Sequence, residues 1–296
     1  MMPEQVHWGT YQKHEGPFVP GTKKFTLPEN PDEQDKWLLA LQATESGYNA
    51  VNMYDTCIVS ISSVQLCEKF YLCSRLLGYV IDKCSADTVL KPLAPALSVS
   101  NACFKKNSSG LWRFFFNDSR GEVNTLEKQQ ALFLNCDGKI GSWTSDAKQQ
   151  AKLFASCLSN VWEDQRAVDC QRAFIKSRFT SFMMSDSKKT LFDGTQDQLA
   201  DSLRALYVSF TCNNPTHANN AVMAAVKESH ASKWSYPWCI DVLRHLTFDS
   251  NIAIYPGRYE KVASVVNTLY DVQFPLKAKD LVEQVVAEVP EVEIVH

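Results

Sequence analysis

The sequence predicts a mainly α fold of the α+β kind, with one small β-hairpin and additional helices toward the C-terminus. Three observations predict it. Helix-capping residues followed by apolar residues three and four apart recur along most of the chain. A single stretch, residues 48–62, is instead β-branched and partly alternating. The 296 residues are 45% hydrophobic and 21% charged, which suits a chain with a buried core.

Residues 1–30 are rich in Pro, Gly, Lys and Thr and read as an extended N-terminal arm. NPDEQDKWLLALQATESG then opens a helix over 31–46. Asn30 can cap it, Pro31 suits its first position, and Glu33 gives capping-box spacing. Gly47 can end it in the left-handed conformation. The turn-prone NMYDT followed by CIVSIS predicts a short hairpin within 48–62. Helical spacing returns from Ser63, through Val64, Cys67, Phe70 and Tyr71 and then Leu76, Leu77, Val80 and Ile81. Residues 85–124 are mixed, with Pro92, Pro95 and a KKNSSG turn, and LWRFFF at 111–116 fits either a buried strand or a helical turn.

Helices dominate after residue 124. TLEKQQALFLNC is one, and Thr144 or Ser145 caps the next. Residues 164–184 form another, followed by a turn at SDSKK. Thr195 caps a further helix, and one runs from Pro215 to about 230. PWCIDVLRHLTF, GRYEKVASVVNTLYDV and KAKDLVEQVVAEV supply three more, and PEVEIVH reads as a loose tail. The expected organisation is an arm over 1–30, a main helical domain over 31–232 and a C-terminal helical extension over 233–296, with ASKWSYP near the boundary.

Composition excludes several function classes. The net charge is −3 and the pI about 6.1, so nothing predicts binding to nucleic acid or an anionic membrane. Lys pairs at 23–24, 105–106 and 188–189 read as solvated loops. The start lacks the basic and apolar regions of a signal peptide, and no run of about 18 apolar residues predicts a membrane span. A cytoplasmic location is expected. The ten cysteines include no CxxC pair, and several lie in apolar helical stretches. They read as free thiols in a reducing compartment. Histidine is scarce and H-E-x-x-H is absent, so no zinc site is expected, and with no Walker A or dinucleotide Gly pattern no cofactor is expected. Ser185-x-x-Lys188 reads as a chance match, and the glycosylation sequons at Asn107 and Asn117 are irrelevant without secretion.

Glu45 is the principal candidate for chemistry. If the helix runs to residue 46, Trp37, Leu41 and Glu45 share one face, each four residues apart, and Leu38 widens it. Partial burial and the negative end of the helix dipole would then both raise the Glu45 pKa. A carboxyl group protonated near neutral pH can protonate a glycosidic leaving oxygen. The plainer reading is a Glu that tips into solvent where the apolar stripe ends.

The stretch Glu45-Ser46-Gly47-Tyr48-Asn49-Ala50, with Ser60 and then Ser62-Ser63-Val64-Gln65, resembles the goose-type lysozyme and lytic transglycosylase family. ALYVSFTCNNPTHANNAV at 205–222 resembles, more faintly, that family's Ala-Tyr-Asn-Ala-Gly helix end, with Phe210 at the Tyr and Asn213 near the Asn. ESGYNAVNMYD with GSWTSDAKQQAK also resembles a looser group of lysozyme-like phage and bacterial proteins associated with peptidoglycan. The resemblance implies a lysozyme-like helical fold with a cleft for a β-1,4 glycan. It makes Glu45 the acid/base, with Ser46 and Gln65 positioning substrate or loop backbone and Tyr48 lining the cleft. Asp55 is the local candidate for a water-orienting carboxylate, although Asp in a turn is more often only a turn former. Asn213 would contact substrate, and Trp143 and Arg113 are remoter candidates.

The sequence departs from the family pattern in two places. Gly-Leu-Met-Gln is Ser-Ser-Val-Gln here, and the Tyr-Asn-Ala-Gly segment is Phe-Thr-Cys-Asn. The acidic balance and the cysteines fit an alternative. In it, a catalytically silent lysozyme-like fold binds a protein inside a cell, in the host cytoplasm if phage-encoded. The expected partner is therefore a peptidoglycan glycan strand or another protein, without nucleic acid or membrane insertion.

Overall fold

The computed structural model describes residues 6–45, 47–62 and 64–287. The fold is mainly α with small antiparallel sheets. In chain order the elements begin with β1 (His7–Tyr11), β2 (His14–Val19), α1 (Glu33–Gln42), β3 (Val51–Asn52), β4 (Ser60–Ile61) and β5 (Leu66–Cys67). Next come α2 (Leu72–Lys83), α3 (Ala86–Val99), β6 (Ala102–Lys106), β7 (Trp112–Phe116), α4 (Leu126–Phe133), α5 (Ser145–Asn160) and α6 (Gln165–Phe182). The chain closes with α7 (Ser185–Leu191), α8 (Gln198–Asn213), α9 (Pro215–Glu228), α10 (Tyr236–Phe248), α11 (Tyr255–Tyr270) and α12 (Asp280–Ala287). No helix among the described residues is long and apolar enough to cross a membrane. The C-terminal segment PEVEIVH, read as a tail, lies outside the described residues.

The chain forms two compact units. The first comprises residues 1–25 and 45–175, and the second comprises 26–44 and 176–296. These divisions differ from the boundaries expected at 30 and 232, because the unit limits follow contacts between distant segments and leave little trace in composition.

In the first unit, β1 to β5 form one sheet in sequence order, with every neighbouring pair antiparallel. The region read as an extended arm therefore holds a hairpin. Its turn places Gln12 at φ 53°, and Pro17 within β2 masks the strand signal in the sequence. LWRFFF resolves as a strand. Trp112 to Phe116 pair with Ala102 to Lys106, and Phe114 and Phe116 are buried. Phe104, Phe114, Phe133 and Phe154 then form a chain of ring contacts with centroids 4.5–5.1 Å apart. α3 carries Pro92 and Pro95 in its interior. Pro95 is exposed, so the Lys91 carbonyl that loses its intrahelical donor can be hydrated.

The helix expected from Ser63 starts later. β5 and a short 3-10 turn at Glu68–Phe70 intervene before α2. The Glu68 side chain explains the entry to α2. It accepts from Ser74 N at 2.7 Å and from Ser74 Oγ at 2.5 Å, satisfying a backbone donor of the first helical turn.

In the second unit, α8 runs through the core, with residues 202–211 buried on every side, as expected of a helix surrounded by protein. Trp37 of α1 meets Phe179 and Phe192 edge-on. The N-cap of α1 is Asp32, not Asn30. Asp32 Oδ1 accepts from Asp35 N, Asp35 Oδ2 accepts from Asp32 N, and Lys176 Nζ lies 2.7 Å and 3.0 Å from the two carboxylates. Asp197 caps α8 in place of Thr195. SDSKK, read as a turn, begins α7, where Ser187 N donates to Asn219 Oδ1 and Ser187 Oγ lies 2.6 Å from Tyr207 Oη.

Glu68 gives a pH test. Burial pushes its carboxyl up to about 7, against the opposing hydrogen bonds of Ser74 and the charge of Arg113. The native state therefore holds a proton that the unfolded chain releases near the ordinary value of 4.5. This contribution to stability is full below that value and is lost as pH rises through 7. Urea unfolding of wild type and Glu68→Gln from pH 4 to 8 should show the wild type losing ground to the variant on the order of 1 kcal/mol per pH unit inside that window. Parallel curves would contradict the assignment.

Candidate functional site

The segment that carries the candidate residues begins where α1 stops. Ala43 N and Thr44 N bond to Ala40 O and Leu41 O, so the last turn tightens to 3-10 spacing. Thr44 Oγ1 also donates to Leu41 O, and Arg258 Nη1 donates to Thr44 Oγ1 at 2.9 Å. The helix ends at Gln42, so Glu45 lies in a bend beyond it and does not extend the Trp37–Leu41 stripe. Glu45 is half-buried, and its carbonyl accepts from Lys24 Nζ at 2.6 Å. Partial desolvation lowers the Lys24 pKa, opposed by the Glu45 charge.

Gly47 has a different role from the expected helix terminator, since α1 already ends at Gln42. Gly47 N donates to Gly21 O and Tyr48 N to Lys23 O. A Cβ at Gly47 would collide with the Lys23 carbonyl, so the position requires a residue without one. Tyr48 is half-buried, with its ring 5.1 Å from that of Phe25.

From Ala50 to Cys67 the strands are only two residues long, and the backbone is strained. Ile58, Ser62 and Gln65 have φ of 67°, 78° and 48°, values that L-residues with side chains adopt rarely, β-branched ones least. Such outliers persist only where surrounding structure fixes them. Here the fixing groups come from α5 and α6. Gln171 is fully buried. Its Nε2 donates to Tyr48 O at 3.1 Å, and its Oε1 accepts from Ser62 Oγ at 3.2 Å. Ser159 Oγ donates to Asn49 O, and Asn49 Oδ1 accepts from Lys23 N. Ser62 N reaches Ala50 O, and Gln65 N reaches Ser62 O.

Two separate clefts result. One, of about 200 Å³, is lined by Gly21, Asn52, Tyr54, Ser60, Ser62 and Gln65 among others. Its walls offer amides and hydroxyls, donors and acceptors suited to a polyhydroxylated ligand. The Ser60 hydroxyl on this wall is buried and, among the described residues, makes no hydrogen bond of normal geometry. The other, also about 200 Å³, is lined by His14, Asp55, Thr56, Lys69, Gln130 and Asp137 among others. Glu45 lines neither.

Asp55 and Gln65 thus face different clefts. Asp55 accepts from Asn52 Nδ2 at 3.1 Å and from Cys57 N at 2.7 Å, the pattern of an Asx turn. Burial raises its pKa, against the Cys57 hydrogen bond and the His14 charge. Ser46 lies outside the described residues. Asn213 is exposed and ends α8 in the second unit, while Phe210, which the resemblance set at the Tyr position, is buried against Tyr255. Trp143 meets Trp8 edge-on, and Arg113 covers the Tyr71 ring at 4.4 Å. Among the described residues no cluster of three His, Cys, Asp or Glu could hold a metal ion.

Sequence reasoning missed Gln171 and Asn52. Gln171 had a signal, because it sits on the apolar stripe of α6 with Ala167, Val168, Phe174 and Ile175, all buried. A polar residue on such a stripe needs partners. Comparison with protein-family models, with curated proteins and with solved structures gives no match to this chain.

The strain at Ser62 is testable with two substitutions. Ser62→Ala and Ser62→Gly both remove the bond to Gln171, but only Gly relieves the positive φ. In urea unfolding, Ser62→Gly should be more stable than Ser62→Ala by about 1 kcal/mol. An Ala variant as stable as the Gly variant would show that the backbone there is not strained.

Proposed function

We propose that this protein is a lysozyme-like glycosidase or lytic transglycosylase acting on the β-1,4 glycan of peptidoglycan, with Glu45 as general acid and then base. The observation that carries the reading is the backbone of Ser62. The family resembled by this chain has Gly at the first position of its Gly-Leu-Met-Gln turn. Here the residue is Ser, yet it keeps the left-handed conformation natural to Gly, at the cost of strain. Gln65 follows three residues later at the rim of the Asn52–Ser60 cleft. Glu45 lies three residues past the end of α1, ahead of β3 to β5, and outside the cleft itself, so a bound glycan has to reach beyond the cleft to meet it.

In this reading the Glu45 carboxyl protonates the glycosidic oxygen as the C–O bond breaks. The resulting carboxylate takes a proton from the attacking water, or from the muramyl 6-hydroxyl in transglycosylation. Asn52, Ser60, Ser62 and Gln65 supply the polar wall that orients the glycan. Asp55 holds the turn and is a weaker candidate for orienting water, because its carboxylate serves Asn52 and Cys57.

One observation favours the alternative of a silent protein-binding scaffold in a cytoplasm. Phe248, Ile252 and Ile254, close together in sequence around the α10–α11 loop, are 40%, 41% and 57% exposed, and exposed apolar patches mark interaction sites.

Turnover of purified peptidoglycan sacculi by wild type and Glu45→Gln separates the two. The enzyme reading expects soluble muropeptides from wild type, a fall of at least about 100-fold in Glu45→Gln, and anhydro ends if the reaction is transglycosylation. A folded wild type without activity from pH 4 to 8 would overturn it and favour the scaffold.

A further inference from the structure

We infer that Cys84 and Cys170 are a thiol–disulfide site, closing to a reversible cross-link between the end of α2 and the second turn of α6. Their sulfurs lie 3.3 Å apart, only ~1.3 Å beyond a covalent S–S bond. Both residues are half-buried, so a small disulfide can reach them. Cys84 is the C-cap of α2, with its N–H bonded to Val80 O at 2.8 Å, and its Sγ also contacts Arg166 O at 3.6 Å. The two sulfurs are therefore held by two helices of the same unit.

A second pair, Cys57 and Cys67, also meets side chain to side chain, but it joins a turn to β5 within one short segment and not two helices. Cys73 and Cys239 are fully buried, and burial raises both. Cys67 is buried and donates to the Cys57 carbonyl at 3.6 Å.

The reaction is thiol–disulfide exchange with a low-molecular-weight disulfide such as oxidised glutathione. Cys84 thiolate attacks one glutathione sulfur, the glutathione S–S bond breaks, and one glutathione thiolate leaves. Cys170 then loses its proton, and its sulfur attacks Cys84 Sγ, expelling the second glutathione thiolate. Two protein thiols give up two electrons and two protons, and one glutathione disulfide becomes two glutathione thiols. Burial and the neighbouring Cys84 push the Cys170 thiol up to about 12, so Cys170 is assigned the second, resolving step.

Two consequences follow. The bond spans 86 residues, so it removes much freedom from the unfolded chain. Cys170 also directly precedes Gln171, so the cross-link anchors the helical turn that holds Tyr48 and Ser62. The chemistry of the pair does not depend on what the Gln65 cleft binds.

The test is to equilibrate the reduced, folded full chain with oxidised glutathione, block free thiols and map peptides without reduction. The expected result is a dominant Cys84–Cys170 cross-link, a rise in Tm on the order of 5–10 °C, and reversal by dithiothreitol. Cys170→Ser should instead trap a glutathione adduct on Cys84 without the rise in Tm. Full alkylation of both Cys84 and Cys170 in the folded wild type after equilibration would overturn the inference. So would a Cys57–Cys67 bond formed in place of theirs.

Discussion

The candidate site depends on one buried side chain. Gln171 gives a donor to Tyr48 O and an acceptor to Ser62 Oγ, binding both ends of a segment that has little regular structure of its own. Strands of two residues offer few ladder bonds, so the backbone groups of this segment need partners from elsewhere. Ser159 and Lys23 meet Asn49 in the same way. A buried amide with both of its functions satisfied is worth keeping, because losing it strands the groups it serves.

That arrangement accounts for the strain. A turn with Ile58, Ser62 and Gln65 all at positive φ would relax if nothing opposed relaxation. α5 and α6 oppose it from behind, leaving the front of the turn, with Ser60, Ser62 and Gln65, facing a polar cleft. Rigid support behind an irregular, polar surface is the construction that ligand sites require. It is also why the Cys84–Cys170 pair matters, since it acts on the helix that supplies the support.

Local chemistry made much of the fold legible. Thr144 caps α5 through Ala147 N, and Pro215 stands at the start of α9. LWRFFF is almost uniformly apolar, so its assignment as a strand depends on pairing with residues 102–106. The misread elements have distant causes. α7 forms from SDSKK because Asn219 and Tyr207 satisfy Ser187. The cap of α1 moves to Asp32 because Asp35 completes a reciprocal box and Lys176, 144 residues away, balances its charge. For Glu45, a position near the end of α1 was legible from residue types. Its place beyond the helix was not, because α1 stops early through a 3-10 turn sealed by Thr44. Nor was the separation of Asp55 from Gln65, which depends on how the strands pair.

The central claim is that Gln171 holds the 48–62 segment in its strained form. Residue-resolved amide exchange in Gln171→Leu tests it most directly, since leucine fills the space without either hydrogen bond. The amides of Ala50, Met53 and Ser62, bonded to Gly47, Pro17 and Ala50 in the native chain, should lose protection on the order of 10- to 100-fold, equivalent to about 1–3 kcal/mol. Protection in the middle of α8 should change only by the loss of global stability. Unchanged protection at Ser62, with the variant folded, would contradict the account.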